Sequence, residues 1–380
     1  MTDRKRVAFI STLNRGPWGG SEELWSRTAA RLLDDGHAVT AEVRRWPDPV
    51  RAIAELQRKG ARIVWRLPAS SYSQRLRHLI REALPHWSGR WRPDFLLISS
   101  AEDRPSLNLL KSVYDTGVPF AVLIHVVSEV MWPDDLQAKD YVKYLSAAQA
   151  CLFVSQASVA LMNAKLGFRL RNARVVRNPF NVDYASAPRW PQDQGEYRMA
   201  LVGRLDPGAK GQDVLFQVLS MEKWRQRALA VNLYGSGRCR ETVNRHRQAL
   251  GLTSVKLCGR TEDVEKIWEE NHMLILPSRE EGLPLALVEA MLCGRPALVT
   301  DVAGMTELIE DSSTGFVAEA PTTRSLDACL ERAWRQRDQW ERMGGLCAKR
   351  IRELVPPDPA GELKTQLVAL METAAAGARR

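Results

Sequence analysis

Met273-Leu-Ile-Leu-Pro-Ser-Arg-Glu-Glu-Gly-Leu-Pro-Leu-Ala-Leu-Val-Glu-Ala-Met-Leu-Cys-Gly-Arg-Pro296 reads as a strand, a polar loop and a helix in that order. The run Met273–Leu276 is apolar at every position, as a strand buried on both faces must be. Pro284 suits the first helical position, where its missing N–H costs nothing. The same strand–loop–helix unit recurs along the chain. In the first half the apolar runs are Val7–Ser11, Ala38–Val43, Ala61–Trp65, Phe95–Ser99, Phe120–His125, Cys151–Ser155 and Arg174–Val176. In the second half they are Arg198–Gly203, Ala230–Tyr234, Val255–Cys258, Met273–Leu276, Ala297–Thr300 and Phe316–Ala318. Helical patterns between them impose parallel pairing and right-handed crossovers. The expected fold is α/β, with two doubly wound Rossmann-like domains facing across a cleft and a C-terminal helix.

The boundaries follow from the breaks in pattern. Residues 1–180 form the first domain, and 181–196, rich in Pro, Asn, Asp and Ser, read as a linker. Residues 197–356 form the second domain. After the Pro cluster at 356–359, residues 357–380 carry a helical tail.

The chain has 380 residues, 45% hydrophobic and 26% charged, so disordered and collagen-like classes are excluded. Its net charge is +9. Between Arg44 and Arg92 twelve Lys and Arg face three acids, so this stretch alone carries that excess, together with four of the twelve tryptophans (Trp46, Trp65, Trp87 and Trp91). The six cysteines lie beyond residue 150, form no C-x-x-C pair and mostly sit in apolar runs, the pattern of buried reduced thiols. The first residues read as a strand with a basic head rather than a signal peptide. No apolar stretch approaches the ~18 residues of a membrane span. The expected location is cytoplasmic, with the inner face of the membrane as a place for peripheral contact.

Three loops carry chemistry. In the stretch quoted above, Glu281 precedes the helix and Glu289 lies one to two turns inside it. The helix start offers unpaired N–H groups to a phosphate. On spacing alone the reading favoured is the plain one, Glu281 a helix-terminus acid and Glu289 an exposed helix residue. The second loop, Gly203-Arg-Leu-Asp-Pro-Gly-Ala-Lys-Gly211, puts Arg204 and Lys210 around a glycine-containing turn, the cation pair that a diphosphate needs. It is not a P-loop, because Gly211 stands where Ser or Thr would bind magnesium. The third, Tyr234-Gly-Ser-Gly-Arg-Cys-Arg240, has Arg240 where a dinucleotide fingerprint has its third glycine, so hydride chemistry is not supported. Nearer the start, Pro17-Trp-Gly-Gly-Ser-Glu22 has Ser21 as an expected N-cap, and Gly19 and Gly20 permit close backbone approach.

Taken together these segments resemble the retaining glycosyltransferases of family 4, the group 1 transferases with the GT-B fold. The E-x7-E motif of that family matches Glu281 and Glu289, and its G-R…K-G pair matches Arg204 and Lys210. Its first glycine loop matches Gly19-Gly20, and its acceptor-domain histidine matches His125. Val255-Lys-Leu-Cys-Gly-Arg260 resembles the segment beside the nucleotide base. One departure stands in the loop after Ala297–Thr300, where Ala303 precedes Gly304 in place of a second glycine.

The resemblance implies transfer of a sugar from a nucleoside diphosphate sugar (UDP- or GDP-sugar) with retention, the first domain holding the acceptor and the second the donor. It implies a catalytic set of Arg204, Lys210, Glu281 and His125. It implies a donor-binding set of Gly19, Gly20, Gly203, Gly235, Arg260, Gly282, Leu283, Pro284 and Glu289. Arg204 and Lys210 would stabilise the leaving diphosphate, Glu281 the donor-sugar hydroxyls and Glu289 the ribose. No metal or other cofactor is expected, since two cations and a helix start do that work and no D-x-D site emerges. Asp34-Asp35 and Asp134-Asp135 read as solvated helix-end pairs. The acceptor class implied is a cell-surface polysaccharide, a lipid-linked sugar or another glycoconjugate. A GT-B-fold sugar-nucleotide epimerase is the alternative, and a basic nucleic-acid-binding protein a less favoured one. The basic Arg44–Arg92 stretch offers a solvated face, an anionic membrane contact or an acidic acceptor site. Nucleic acid is not expected, for want of any binding motif.

Overall fold

The computed structural model describes residues 4–14, 16–66, 92–101, 104–192 and 195–377. Two compact units result, Met1–Pro179 with Asp358–Arg380, and Phe180–Pro357.

In the first unit, seven strands among the described residues form one sheet: β1 (Arg6–Ser11), β2 (Ala38–Arg44), β3 (Arg62–Arg66), β4 (Phe95–Ser100), β5 (Phe120–Ile124), β6 (Ala150–Phe153) and β7 (Ala173–Val175). Their order is β3-β2-β1-β4-β5-β6-β7, all parallel, with Val7 opposite both Val39 and Phe95. The central strands β4, β5 and β6 are buried along their whole length. That burial is why they read as unbroken apolar runs.

The helix Pro359–Gly377 packs on Gly20–Asp34 within this unit. Ala360, Leu363, Leu367, Leu370 and Met371 join the core that holds Leu24, Trp25 and Leu32. Their three-to-four spacing puts them on one face, and each Leu or Met so buried is worth about 1.5–3 kcal/mol. Polar ties flank this seam: Arg31 pairs with Asp358 at 2.6 Å, Lys364 with Asp35 at 2.7 Å, and Thr28 Oγ1 donates to Ala360 O at 3.2 Å.

The second unit repeats the plan with β8 (Tyr197–Val202), β9 (Leu229–Tyr234), β10 (Val255–Gly259), β11 (Met273–Leu276), β12 (Ala297–Thr300) and β13 (Gly315–Ala318). The order β10-β9-β8-β11-β12-β13 runs outward both ways from β8 and β11. Winding reverses between those two strands, and ligands of such sheets bind beyond the carboxyl ends at that switch point.

All thirteen apolar runs are strands; Met273–Leu276 and Ala297–Thr300 match at both ends, and the others are displaced by a residue or two. Cys151–Ser155 stops at Phe153, since Ser155 turns out of the sheet and caps the next helix by accepting from the Ser158 N–H. Two helix starts are corrected. The first helix begins at Gly20, with Gly19 at the N-cap and Ser21 inside it. There the Glu22 N–H already closes a turn on Gly19 O at 2.9 Å. Pro284 sits one residue before its helix, Leu285–Leu292, because its ψ of 130° is extended. The cysteines described as buried are Cys151, Cys293, Cys329 and Cys347, and burial pushes the Cys151 thiol up to about 12.

The basic stretch is spread over β2, the helix Arg51–Arg58 and β3. Arg75, Arg77, Arg81, Trp87 and Trp91 lie outside the described residues. Among the described residues no helix is long and apolar enough to cross a membrane.

Candidate functional site

Ten of the expected residues gather at the carboxyl edge of the second sheet. The loop after β8 leads through Gly203 and Arg204 into a single turn, Pro207–Lys210, and then Gly211. Gly211 has φ +66°, and a Cβ there would stand 1.9 Å from Pro277 O in the loop after β11. Gly235, at φ +137°, lies as close to Gly203 O. These two glycines let three strand-end loops press backbone to backbone. The Arg279 N–H closes the arrangement by donating to Ala209 O at 2.8 Å.

Across the switch point, Lys210 Nζ donates to Glu281 Oε1 at 2.6 Å, and Ser278 Oγ donates to the same oxygen at 2.8 Å. Thr300 Oγ1 in turn donates to Ser278 O at 2.6 Å, fixing that loop to β12. The Glu281 side chain is only 6% exposed and that of Lys210 16%, so the pair is held in a partly desolvated corner. Beside it Arg279 grips Asp213 bidentately at 2.7 and 2.8 Å. Burial raises the Asp213 carboxyl, but hydrogen bonds and charge from Arg279 outweigh it and hold the group below its ordinary value. Arg204 is exposed, and its guanidinium makes no hydrogen bond or ion pair among the described residues, unlike the Lys210 ammonium, while its carbonyl accepts from Gln212 Nε2 at 2.8 Å.

Glu289 is buried, which removes the exposed-helix reading. Its Oε1 accepts from the Asn181 N–H at 3.0 Å and from Asn181 Nδ2 at 2.9 Å. Gly282, Leu283 and Pro284 are buried between the two acids, and the Gly304 N–H donates to Gly282 O at 3.0 Å. The residue before it, Ala303, has φ +50°, so an alanine occupies left-handed backbone that favours glycine. Arg260 is exposed just beyond β10. Arg295 of the Gly-Arg-Pro run is structural: it is buried and donates to Trp268 O at 2.8 Å, Cys293 O at 2.8 Å and Arg189 O at 2.6 Å.

Gly19, Gly20 and His125 lie at the carboxyl edge of the first sheet. A Cβ on Gly19 would meet nothing within 4 Å, and its φ of −164° suits any residue. The fold itself therefore does not demand glycine there. His125 follows β5, is buried, and shares a 3.2 Å hydrogen bond between Nε2 and Ser99 Oγ. Burial pushes its pKa down to about 4, with Asn178 opposing, so the ring is neutral at pH 7. Close to the glycines, Glu22 is buried and accepts from Trp25 Nε1 at 3.0 Å. Burial pushes its carboxyl up to about 7 against contacts from Ser11 and Trp25 and the charge of Arg66.

These two groups give opposite pH slopes. His125, depressed from 6.5 to about 4, contributes stability that is full above pH 6.5 and lost as pH falls to 4. Glu22, raised from 4.5 to about 7, contributes stability that is full below pH 4.5 and lost as pH rises to 7. Each slope is about 1.4 kcal/mol per pH unit, so the two offset between pH 4.5 and 6.5. Relative to wild type, Glu22→Gln is expected to gain about 3 kcal/mol of stability from pH 4.5 to 7. Calorimetric melting across that range checks it, and parallel curves for the two proteins would contradict the burial of Glu22.

The site residues absent from the sequence reading are Asn181, Asp213, Ser278, Arg279 and Thr300. Ser278 and Arg279 stood within the quoted stretch. Asn181 lies 108 residues from Glu289, and no local pattern links them.

The two doubly wound sheets, each with functional loops at its carboxyl edge, define the GT-B class of fold. Similar solved structures bear this out. A glycosyltransferase from Rickettsia africae superposes with a TM-score of 0.76 at 14% identity, covering 97% of this chain and 99% of that one. Anabaena HepE, solved in complex with UDP and glucose, gives 0.70 at 15% identity, covering 96% and 100%. In sequence, residues 196–336 match the family model described as glycosyl transferases group 1. A Methanocaldococcus jannaschii protein named an uncharacterized glycosyltransferase is 24% identical over 208 residues, which are 53% of this chain and 55% of that relative. The chain thus spans about half the length of the relative it matches. The likeness to group 1 glycosyltransferases in sequence thus lies in residues 196–336, and the solved structures share the fold along nearly the whole chain.

Proposed function

We propose that the chain is a retaining glycosyltransferase of family 4, moving a sugar from a UDP- or GDP-sugar to a glycan acceptor. The observation that carries this reading is the Lys210–Glu281 pair at the switch point, with Arg204 exposed on the same loop. A leaving diphosphate gathers negative charge as the glycosidic bond breaks. Lys210 and Arg204 meet that charge as it develops, the form of catalysis with the largest return. Glu281, held by Lys210 and Ser278, presents a carboxylate to donor-sugar hydroxyls. Glu289 takes the ribose hydroxyls. With two cations for the diphosphate, no metal is required. His125, neutral at pH 7, serves as a hydrogen-bonding contact to donor or phosphate rather than as a cation. The UDP and glucose held by HepE favour a UDP-sugar as the first donor to try.

A thermal-shift series with UDP, GDP, ADP and their sugars tests this directly. Binding to the native state alone raises stability by about 2.7 kcal/mol at a hundredfold excess over Kd. One nucleotide diphosphate is expected to raise Tm by several degrees and the others much less. Failure of every nucleotide to shift the melt would overturn the reading.

A further inference from the structure

The first unit carries a cavity that the donor chemistry does not use. It has a volume of about 330 Å³ and lies beyond the carboxyl ends of β1, β2 and β3. Ser11 and Glu22 are its buried polar members, and Trp18, Trp46 and Trp65 supply indole surface. Arg44 and Arg45 bring two cations to it. The Arg44 guanidinium lies 4.6 Å from the Trp46 ring centroid, and its Nη1 donates to Asn14 O at 3.0 Å.

Two polar atoms in this wall are unsatisfied. Glu22 Oε1 and Arg44 Nε are both buried and neither has a partner of hydrogen-bonding geometry. Native interiors rarely leave such atoms bare, and here both belong to residues lining one cavity. The Trp65 side, 41% exposed, leaves a large aromatic surface open at its rim. Indole faces cover the C–H face of a sugar ring, and an arginine fork matches a carboxylate or phosphate. The volume sits at the small end of ligand pockets, enough for one sugar residue.

We propose that this cavity binds an acidic pyranoside, a sugar ring bearing a carboxylate or phosphate, as the terminal residue of the acceptor. The name acceptor rests on the glycosyltransferase reading; the binding itself does not. Trp46 and Trp65 flank the ring, Arg44 and Arg45 take the acid, and Glu22 and Ser11 meet ring hydroxyls. The raised Glu22 pKa supports this, since a largely protonated carboxyl adds little repulsion toward an anion. Asp48, also in the lining and exposed, is the one acid that opposes it.

The test is calorimetric titration of the full chain, without nucleotide, at pH 6.5. The probes are methyl glucuronide, glucose 6-phosphate, methyl glucoside and inorganic phosphate. At least one acidic sugar is expected to bind ten times more tightly than methyl glucoside and than phosphate alone, and their ranking names the acid. Trp65→Ala should weaken that sugar at least tenfold, with Trp65→Phe retaining most of the affinity. Arg45→Gln should weaken the acidic sugar and leave methyl glucoside unchanged. All variants should keep the wild-type nucleotide shift. Equal binding of neutral and acidic sugars, phosphate binding as tightly as glucose 6-phosphate, or no effect of Trp65→Ala would overturn the assignment. A lost nucleotide response with sugar binding intact would instead sink the donor reading alone.

Discussion

Lys210→Ala is expected to lower sugar transfer by about a hundred- to a thousandfold, the loss seen when one preorganised charge-stabilising donor is removed. The fall should appear in kcat, because the charge that Lys210 meets develops only as the diphosphate leaves. Lys210 contributes a second effect through Glu281. Without the ammonium at 2.6 Å, that carboxylate keeps Ser278 as its remaining hydrogen-bond donor and stands in a corner that is nearly closed to water. Lys210→Arg is expected to recover only part of the rate, since a planar fork cannot replace a point charge on a stem packed against Gly203. Circular dichroism and melting should show the fold intact. Wild-type turnover in Lys210→Ala would remove the assignment.

Glu289→Ala should cost about a hundredfold in kcat/KM for the donor, carried mainly by KM. A charge-assisted hydrogen bond of about 1.5–3 kcal/mol to a ribose hydroxyl sets that scale. The structure adds a complication that spacing did not foresee. Glu289 also holds the N–H and the side-chain amide of Asn181, so truncation strands two donors and destabilises the second unit by about 1–3 kcal/mol. Glu289→Gln separates the two roles. An amide oxygen still accepts from Asn181, so stability should return, while donor affinity should not. Unchanged kcat/KM in both variants would exclude Glu289 from the donor site.

The fold was legible because strands buried on both faces leave a plain signature. Leu96, Leu97 and Ile98 in β4, or Met273 to Leu276 in β11, are buried at successive positions, so nothing polar interrupts them. The candidate site was legible wherever its residues share one loop, as Glu281, Gly282, Leu283 and Pro284 do. The rest depends on pairings without a local period. Lys210 and Glu281 are 71 residues apart, and Arg31 and Asp358 are 327 apart. Neither separation leaves any repeat to read. Helix starts went astray by one or two residues for a related reason. Ser21 has the chemistry of a cap, but the turn closes on Gly19, where the backbone decides and the side chain does not.

The docking of Pro359–Gly377 onto Gly20–Asp34 also bears on the order of events at synthesis. The first unit is interrupted in the chain by the 178 residues of Phe180–Pro357. At roughly 5–20 residues per second, a ribosome adds about 10–35 s between the last strand of the first sheet and the helix that completes its core. During that interval the nascent chain has Leu24, Trp25 and Leu32 without the Leu363 and Leu367 that later cover them. The second unit, by contrast, is contiguous and has its whole core on hand at Pro357. The chain therefore finishes its later-made unit before its earlier one, and the unit first to emerge is the one that waits.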